Sequence, residues 1–198
     1  VKTSVPENDG VTLCLQGGQT VKIVDNAKDF SDVTDTYWGA DAVDFVSSRQ
    51  LMEGTGTETF SPEATTSRAM FLTALARLDG VDTTQGDTWY DAAARWASEA
   101  GISDARNLAG DLTWEQLAAM LYRYAQYRGY DLSASGSTEP SGGTEAVSDD
   151  WAAAMEWALS AGILADGLSH PTGSLTRAHT ADALMRFVSA IGTGIGEA

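Results

Sequence analysis

Two stretches of this chain carry the same apolar stripe. Ala93, Trp96, Ala97 and Ala100, and again Ala154, Trp157, Ala158 and Ala161, fall at i, i+3, i+4 and i+7, the spacing that lines one face of a helix. Gly101 and Gly162 follow directly, where a helix end favours a residue tolerant of positive φ. Further stripes run through Phe71, Leu72, Leu75 and Leu78, and through Leu117, Met120, Leu121 and Tyr124. Ser67, Thr113 and Thr176 stand just ahead of the downstream helices as N-caps, and Thr113 with Gln116 completes a capping box. Gly54, Gly56 and Pro62, and later Gly167, Pro171 and Gly173, mark loops between the helices of a pair. The pattern predicts helix–loop–helix segments. Ahead of them, residues 11–15 and 20–24 are short β-rich runs around Gly17 and Gly18, which predicts a hairpin. Two strands alone are marginal in water, so this head either packs on the rest or ends an upstream domain.

The helical part repeats. With Ser67, Thr113 and Thr176 as anchors, a leucine follows at the same distance in each copy (Leu75, Leu121, Leu184), then an arginine (Arg77, Arg123, Arg186), then a large apolar or aromatic residue (Leu78, Tyr124, Phe187). Upstream, Phe45, Trp96 and Trp157 are each followed six positions later by Leu51, Ile102 and Ile163. Three copies are expected, at about 30–78, 88–128 and 148–188. The Ser/Gly-rich residues 133–148 read as a flexible linker, and residues 191–198 as a tail.

Charge changes the picture in two ways. The 198 residues hold 12 Lys+Arg and 28 Asp+Glu, a net charge of −16. This argues against nucleic-acid binding, which needs clustered Lys and Arg, and against adhesion to anionic membranes. The distribution is uneven as well: Lys2, Lys22 and Lys28 all lie in the first 28 residues, whereas residues 29–198 hold nine arginines and no lysine. That shift marks a boundary near Asp29, with residues 1–28 as a separate head and residues 29–190 as the helical unit. No apolar run reaches the roughly 20 residues of a membrane span, so no membrane insertion is expected. Cys14 is the single cysteine, which excludes an internal disulfide. The chain opens at Val1 with no basic–apolar leader, and this leaves the question of export open.

The residues themselves resemble a known family. Phe30-Ser31-Asp32-Val33, then Trp38, an apolar helix, Leu51 through Gly54, Phe60-Ser61-Pro62 and Ser67-Arg68-Ala69 resemble the S-layer homology module. Trp157 through Gly162 and Ile163, Pro171 and Leu175-Thr176-Arg177-Ala178 resemble it again. The middle copy keeps its helices and Gly101-Ile102 but diverges most at the anchor. The resemblance implies a mainly α fold: three helix–loop–helix repeats in a pseudo-threefold bundle, here with a short N-terminal β-hairpin-like segment. It implies a non-catalytic module that anchors a larger exported protein to a bacterial cell wall, at the cell surface, by binding an anionic, pyruvylated secondary cell-wall polysaccharide. In the family the arginine of the Thr-Arg-Ala-Glu motif faces grooves between modules. The candidate glycan-binding residues are therefore Ser67, Arg68, Thr113, Trp114, Thr176 and Arg177. The motif's glutamate is replaced by Met70, Gln116 and His179, and in the middle copy Trp114 replaces the arginine.

Elementary chemistry stands beside that implication. A helix start presents unpaired N–H groups and partial positive charge, and a first-turn arginine adds a planar fork matched to a carboxylate. Such a charge-assisted bond contributes roughly 1.5–3 kcal/mol. Arg77, Arg123 and Arg186 read instead as structural, paired with acids or helix carbonyls. Trp96 and Trp157 read as core, while Trp89, Trp114 and Trp151 stay open between packing and a sugar platform. His170 and His179 are the only histidines and match no zinc pattern, so no metal and no cofactor are expected. No nucleophile elbow or phosphate loop stands out. The altered motif keeps a second reading open, a structural or protein-interaction module of the same fold.

Overall fold

The structure, a computed structural model, describes residues 2–7, 10–12, 20–22, 24–132, 149–164 and 170–192. Helices dominate it: α1 (Ala40–Ser48), α2 (Arg68–Leu78), α3 (Asp91–Glu99), α4 (Trp114–Arg128), α5 (Asp149–Ser160) and α6 (Arg177–Gly192). Short and long helices alternate, and each long one starts where a side-chain cap was expected. Ser67 accepts the Met70 amide at 3.3 Å, Thr113 and Gln116 form their capping box, and Thr176 accepts the His179 amide at 3.3 Å. Each short helix ends the same way. The second residue after it lies in the left-handed region, at Gln50 (φ 56°), Gly101 (φ 70°) and Gly162 (φ 67°). The next two amides then fold back onto one helix carbonyl: Leu51 and Met52 onto Val46, Ile102 and Ser103 onto Ala97, Ile163 and Leu164 onto Ala158.

The segments ahead of the long helices hydrogen-bond to one another in a closed ring. Thr66 N–H donates to Leu175 O (2.9 Å), Leu175 N–H to Leu112 O (2.9 Å) and Leu112 N–H to Thr66 O (2.8 Å). Helix packing closes in the same sense: α2 packs on α3, α4 on α5, and α6 returns to α1. One apolar core runs through all six helices and contains Phe45, Leu72, Leu75, Ala97, Leu121, Trp157, Leu184 and Phe187. Because the ring joins residues far apart in sequence, no helix pair buries its apolar face alone.

The head differs in detail from the expected hairpin. β1 (Val5–Glu7) pairs antiparallel with β2 (Gly10–Thr12), with Val5 opposite Thr12. This pairing lies ahead of the one expected across Gly17 and Gly18, and residues 20–22 form no strand. Residues 13–19 and 23 lie outside the described residues, as does the linker expected at 133–148. α6 runs to Gly192, one turn edge into the expected tail, because Phe187, Val188 and Ile191 remain buried.

The head is tied to the bundle. The half-buried Arg49 guanidinium donates to Ser4 O through Nε (3.2 Å) and Nη2 (2.8 Å), and its carbon lies 3.7 Å from the Phe45 ring centroid. Replacing Arg49 with alanine is expected to release β1 while costing the bundle only about 1–2 kcal/mol. Hydrogen exchange checks this: the amides of residues 5–12 gain at least tenfold in rate while those of α4 do not.

Candidate functional site

The starts of the long helices were expected to offer free N–H groups to an anion, and they do not. At α2, Arg68 N–H donates to Gly110 O (3.0 Å) and Ala69 N–H to Leu108 O (2.9 Å). At α4, Trp114 and Glu115 donate to Gly173 O and Pro171 O (3.4 and 3.0 Å). At α6, Arg177 and Ala178 donate to Ala64 O and Pro62 O (2.8 and 2.9 Å). The cap side chains take the next amide in each case. These donors close the ring of helices instead, so any anion site here must rest on side chains.

The two first-turn arginines part company. Arg177 is 5 % exposed. Its Nε donates to Phe60 O (2.8 Å), its Nη2 to Glu53 O (2.6 Å), and its guanidinium carbon lies 4.5 Å from the Phe60 ring centroid. Burial pulls its pKa below the ordinary arginine value, and the nearby Asp32 carboxylate partly restores it. Asp32 in turn accepts the amides of Phe60 (2.9 Å) and Ser61 (2.7 Å). These amides hold its carboxyl below the usual range against the opposing pull of desolvation. The expectation that Arg177 faces an open groove is thus corrected: it is sealed under Phe60 and fastens the loop between α1 and α2. Thr176 beside it caps α6, and its Oγ1 lies 2.8 Å from His179 Nδ1.

Arg68 occupies the equivalent place at α2 but meets a different loop. From Leu51 to Pro62 the first loop takes 62 − 51 = 11 positions, while from Ile102 to Leu108 the next takes 108 − 102 = 6. The shorter loop has no counterpart of Phe60. Arg68 therefore lines a cavity of about 240 Å³, together with Ser103, Asp104, Gln116, Met120, Arg123 and Trp151. Its Nη2 donates to Asp104 Oδ1 at 3.0 Å, while its Nε is buried with no partner.

Arg123 adds a second guanidinium to this cavity. The three recurrent mid-helix arginines each reach back 3.5 Å to a carbonyl near the end of the preceding short helix: Arg77 to Leu51, Arg123 to Ile102 and Arg186 to Gly162. Arg77 also pairs with Glu53 (3.5 Å) and Arg186 with Asp182 (2.8 Å). Among the described residues Arg123 has no carboxylate partner, because Asp104, placed as Glu53 is, turns to Arg68 instead. The structural reading holds for all three, each bonded to a carbonyl, and Arg123 in addition lines the cavity, which the pattern of arginines did not single out. Trp151 presents an aromatic surface in the same cavity.

The other candidates make contacts within the fold. Ser67 and Thr113 cap their helices. Trp114 is half-buried with its ring 5.1 Å from the His179 ring, which is 5.0 Å from that of Trp38. Trp157 is buried and Trp96 packs against the core, as expected, whereas Trp38 and Trp89 are more than half exposed. Among the described residues no cluster of His, Cys, Asp and Glu could hold a metal ion, and no helix is long and apolar enough to cross a membrane.

Comparison with known proteins gives this geometry a setting. An endoglucanase of Bacillus sp. (strain KSM-635) is 31 % identical over 120 residues, 54 % of this chain. The matched stretch is 13 % of the endoglucanase's own length, so its activity does not carry over. The sequence model of the S-layer homology domain matches residues 29–70, a stretch that ends just past Arg68. Residues 29–70 thus match the S-layer homology domain, a cell-wall anchoring domain, and the match is to this stretch of the chain.

Proposed function

We propose that this chain holds a larger exported protein at a bacterial cell surface by binding an anionic, pyruvylated secondary wall polysaccharide, and that the cavity at Arg68 is the binding site. One observation carries the reading. Among the described residues two guanidinium groups, Arg68 and Arg123, share a cavity with one carboxylate, Asp104, on a chain of net charge −16. The local excess of one positive charge suits a ligand carboxylate, which Arg68 can take with a planar fork. Trp151 supplies a flat apolar surface for the sugar ring that bears it. Three modules over residues 29–190, at about 30–78, 88–128 and 148–188, with residues 1–28 as a separate head, complete the reading; the closed ring at Thr66, Leu112 and Leu175 supports it.

The test is retention on purified pyruvylated wall polymer. Arg68→Ala is expected to weaken binding about 10- to 100-fold, the loss of one charge-assisted contact, and Arg123→Ala by at least about threefold. Circular dichroism should show both variants folded. Exposed Trp38 and Trp89 favour the second reading, a protein-interaction module. Concentration-dependent self-association with no retention on the polymer would select it.

A further inference from the structure

We infer that Asp104 is a built-in competitor for the Arg68 cavity, a tethered carboxylate that an incoming ligand carboxylate must displace. This rests on the reading of the cavity as a carboxylate site. Asp104 holds only one nitrogen of Arg68, Nη2, through Oδ1 at 3.0 Å, and leaves Nε without a partner. A carboxylate bonded across Nε and Nη2 makes two parallel contacts where Asp104 makes one. The Asp104 side chain is 57 % exposed and that of Arg68 15 %, so water can take over the carboxylate as it leaves the guanidinium. Its Oδ1 also accepts the Arg106 amide at 3.0 Å, which keeps the carboxylate at the mouth of the cavity rather than free.

The position of Asp104 sharpens the point. Its counterpart Glu53 pairs with Arg77, the arginine of its own helix pair. Asp104 forgoes the matching partner, Arg123, for Arg68. When a ligand takes Arg68, the displaced carboxylate has a second guanidinium lining the same cavity. Asp104 thus lowers affinity for any anion that offers only one contact and admits those able to use both nitrogens, a filter as well as a brake.

The experiment compares Asp104→Asn with the unaltered chain for binding of pyruvylated wall-polymer fragments, by titration calorimetry at fixed salt. Asparagine keeps an oxygen for the Arg106 amide and removes the charge. Asp182→Asn, a charge-matched control at a residue that does not line the cavity, separates a local effect from the change in net charge. Asp104→Asn is expected to bind about fivefold more tightly, with Asp182→Asn within about twofold of the parent. Asp104→Ala is expected to follow Asp104→Asn. Equal or weaker binding by Asp104→Asn, with the parent still binding, overturns the competitor role and leaves the site standing. An equal gain in both asparagine variants also overturns it, since that is the field of the whole molecule. No binding by any of the proteins overturns both the competitor and the site.

Discussion

Replacing Arg177 with alanine is expected to destabilise the fold by about 3 kcal/mol and to lower the melting temperature by about 6–12 °C for a chain of this size. The guanidinium is 5 % exposed and donates to the carbonyls of Phe60 and Glu53. Its removal leaves both acceptors without their donor, takes a cation from the face of Phe60, and loosens the loop that it fastens together with Asp32. Lysine cannot rescue it, since a single ammonium does not reproduce the fork that spans two carbonyls. Arg68→Ala has the same chemistry at the equivalent helix position and the opposite outcome: stability within about 1 kcal/mol of the parent, because its one ion pair has a largely exposed partner, and weaker polymer binding. Thermal unfolding followed by circular dichroism reads both. An Arg177→Ala melting point within about 2 °C of the parent would show that the buried arginine does not fasten the loop.

That contrast shows which parts of the molecule could be read from its residues. Caps and helix ends are local, and Ser67, Thr113, Thr176, Gly101 and Gly162 all do what their types predict. The left-handed Gln50 is the exception: it fills the same place as Gly101 and Gly162 without the glycine that signals it. The ring of amide donors at the long-helix starts joins segments more than 40 residues apart, and no spacing within one segment announces it. Two arginines in the same motif therefore look alike in sequence, although one is buried and the other lines a cavity. A signal did exist, in the shorter second loop and its missing aromatic residue. The involvement of Arg123 was hidden for a related reason: its acid partner was lost to a contact between helix pairs, which only the folded arrangement creates. In the head the strand expected at 20–24 is absent at residues 20–22, and β1 at Val5–Glu7 is too short for an alternating pattern to announce it.

Truncating Phe187 to alanine tests whether the helices form one unit. The side chain is fully buried, and its ring lies 5.8 Å from that of Tyr124 in α4, 6.4 Å from Trp157 in α5 and 6.4 Å from Tyr130. Tyr124 reaches further, donating its hydroxyl to Asp79 Oδ1 at 3.2 Å, just past the end of α2, where Arg128 also binds at 3.1 Å. Burial and the Asp79 carboxylate both push the Tyr124 phenol up in pKa, so it stays a donor across the physiological range. A cavity under Phe187 thus touches α4, α5 and α6 directly and α2 through one hydrogen bond. The expected cost is about 3–5 kcal/mol, a fall of roughly 6–20 °C in melting temperature. Because the ring through Thr66, Leu112 and Leu175 ties every long-helix start to the other two, the variant should still unfold in a single transition, with near- and far-ultraviolet circular dichroism coincident. If α5 and α6 melted first and left α1 to α4 folded, the ring would be a contact between independent units rather than the element that makes six helices share one core.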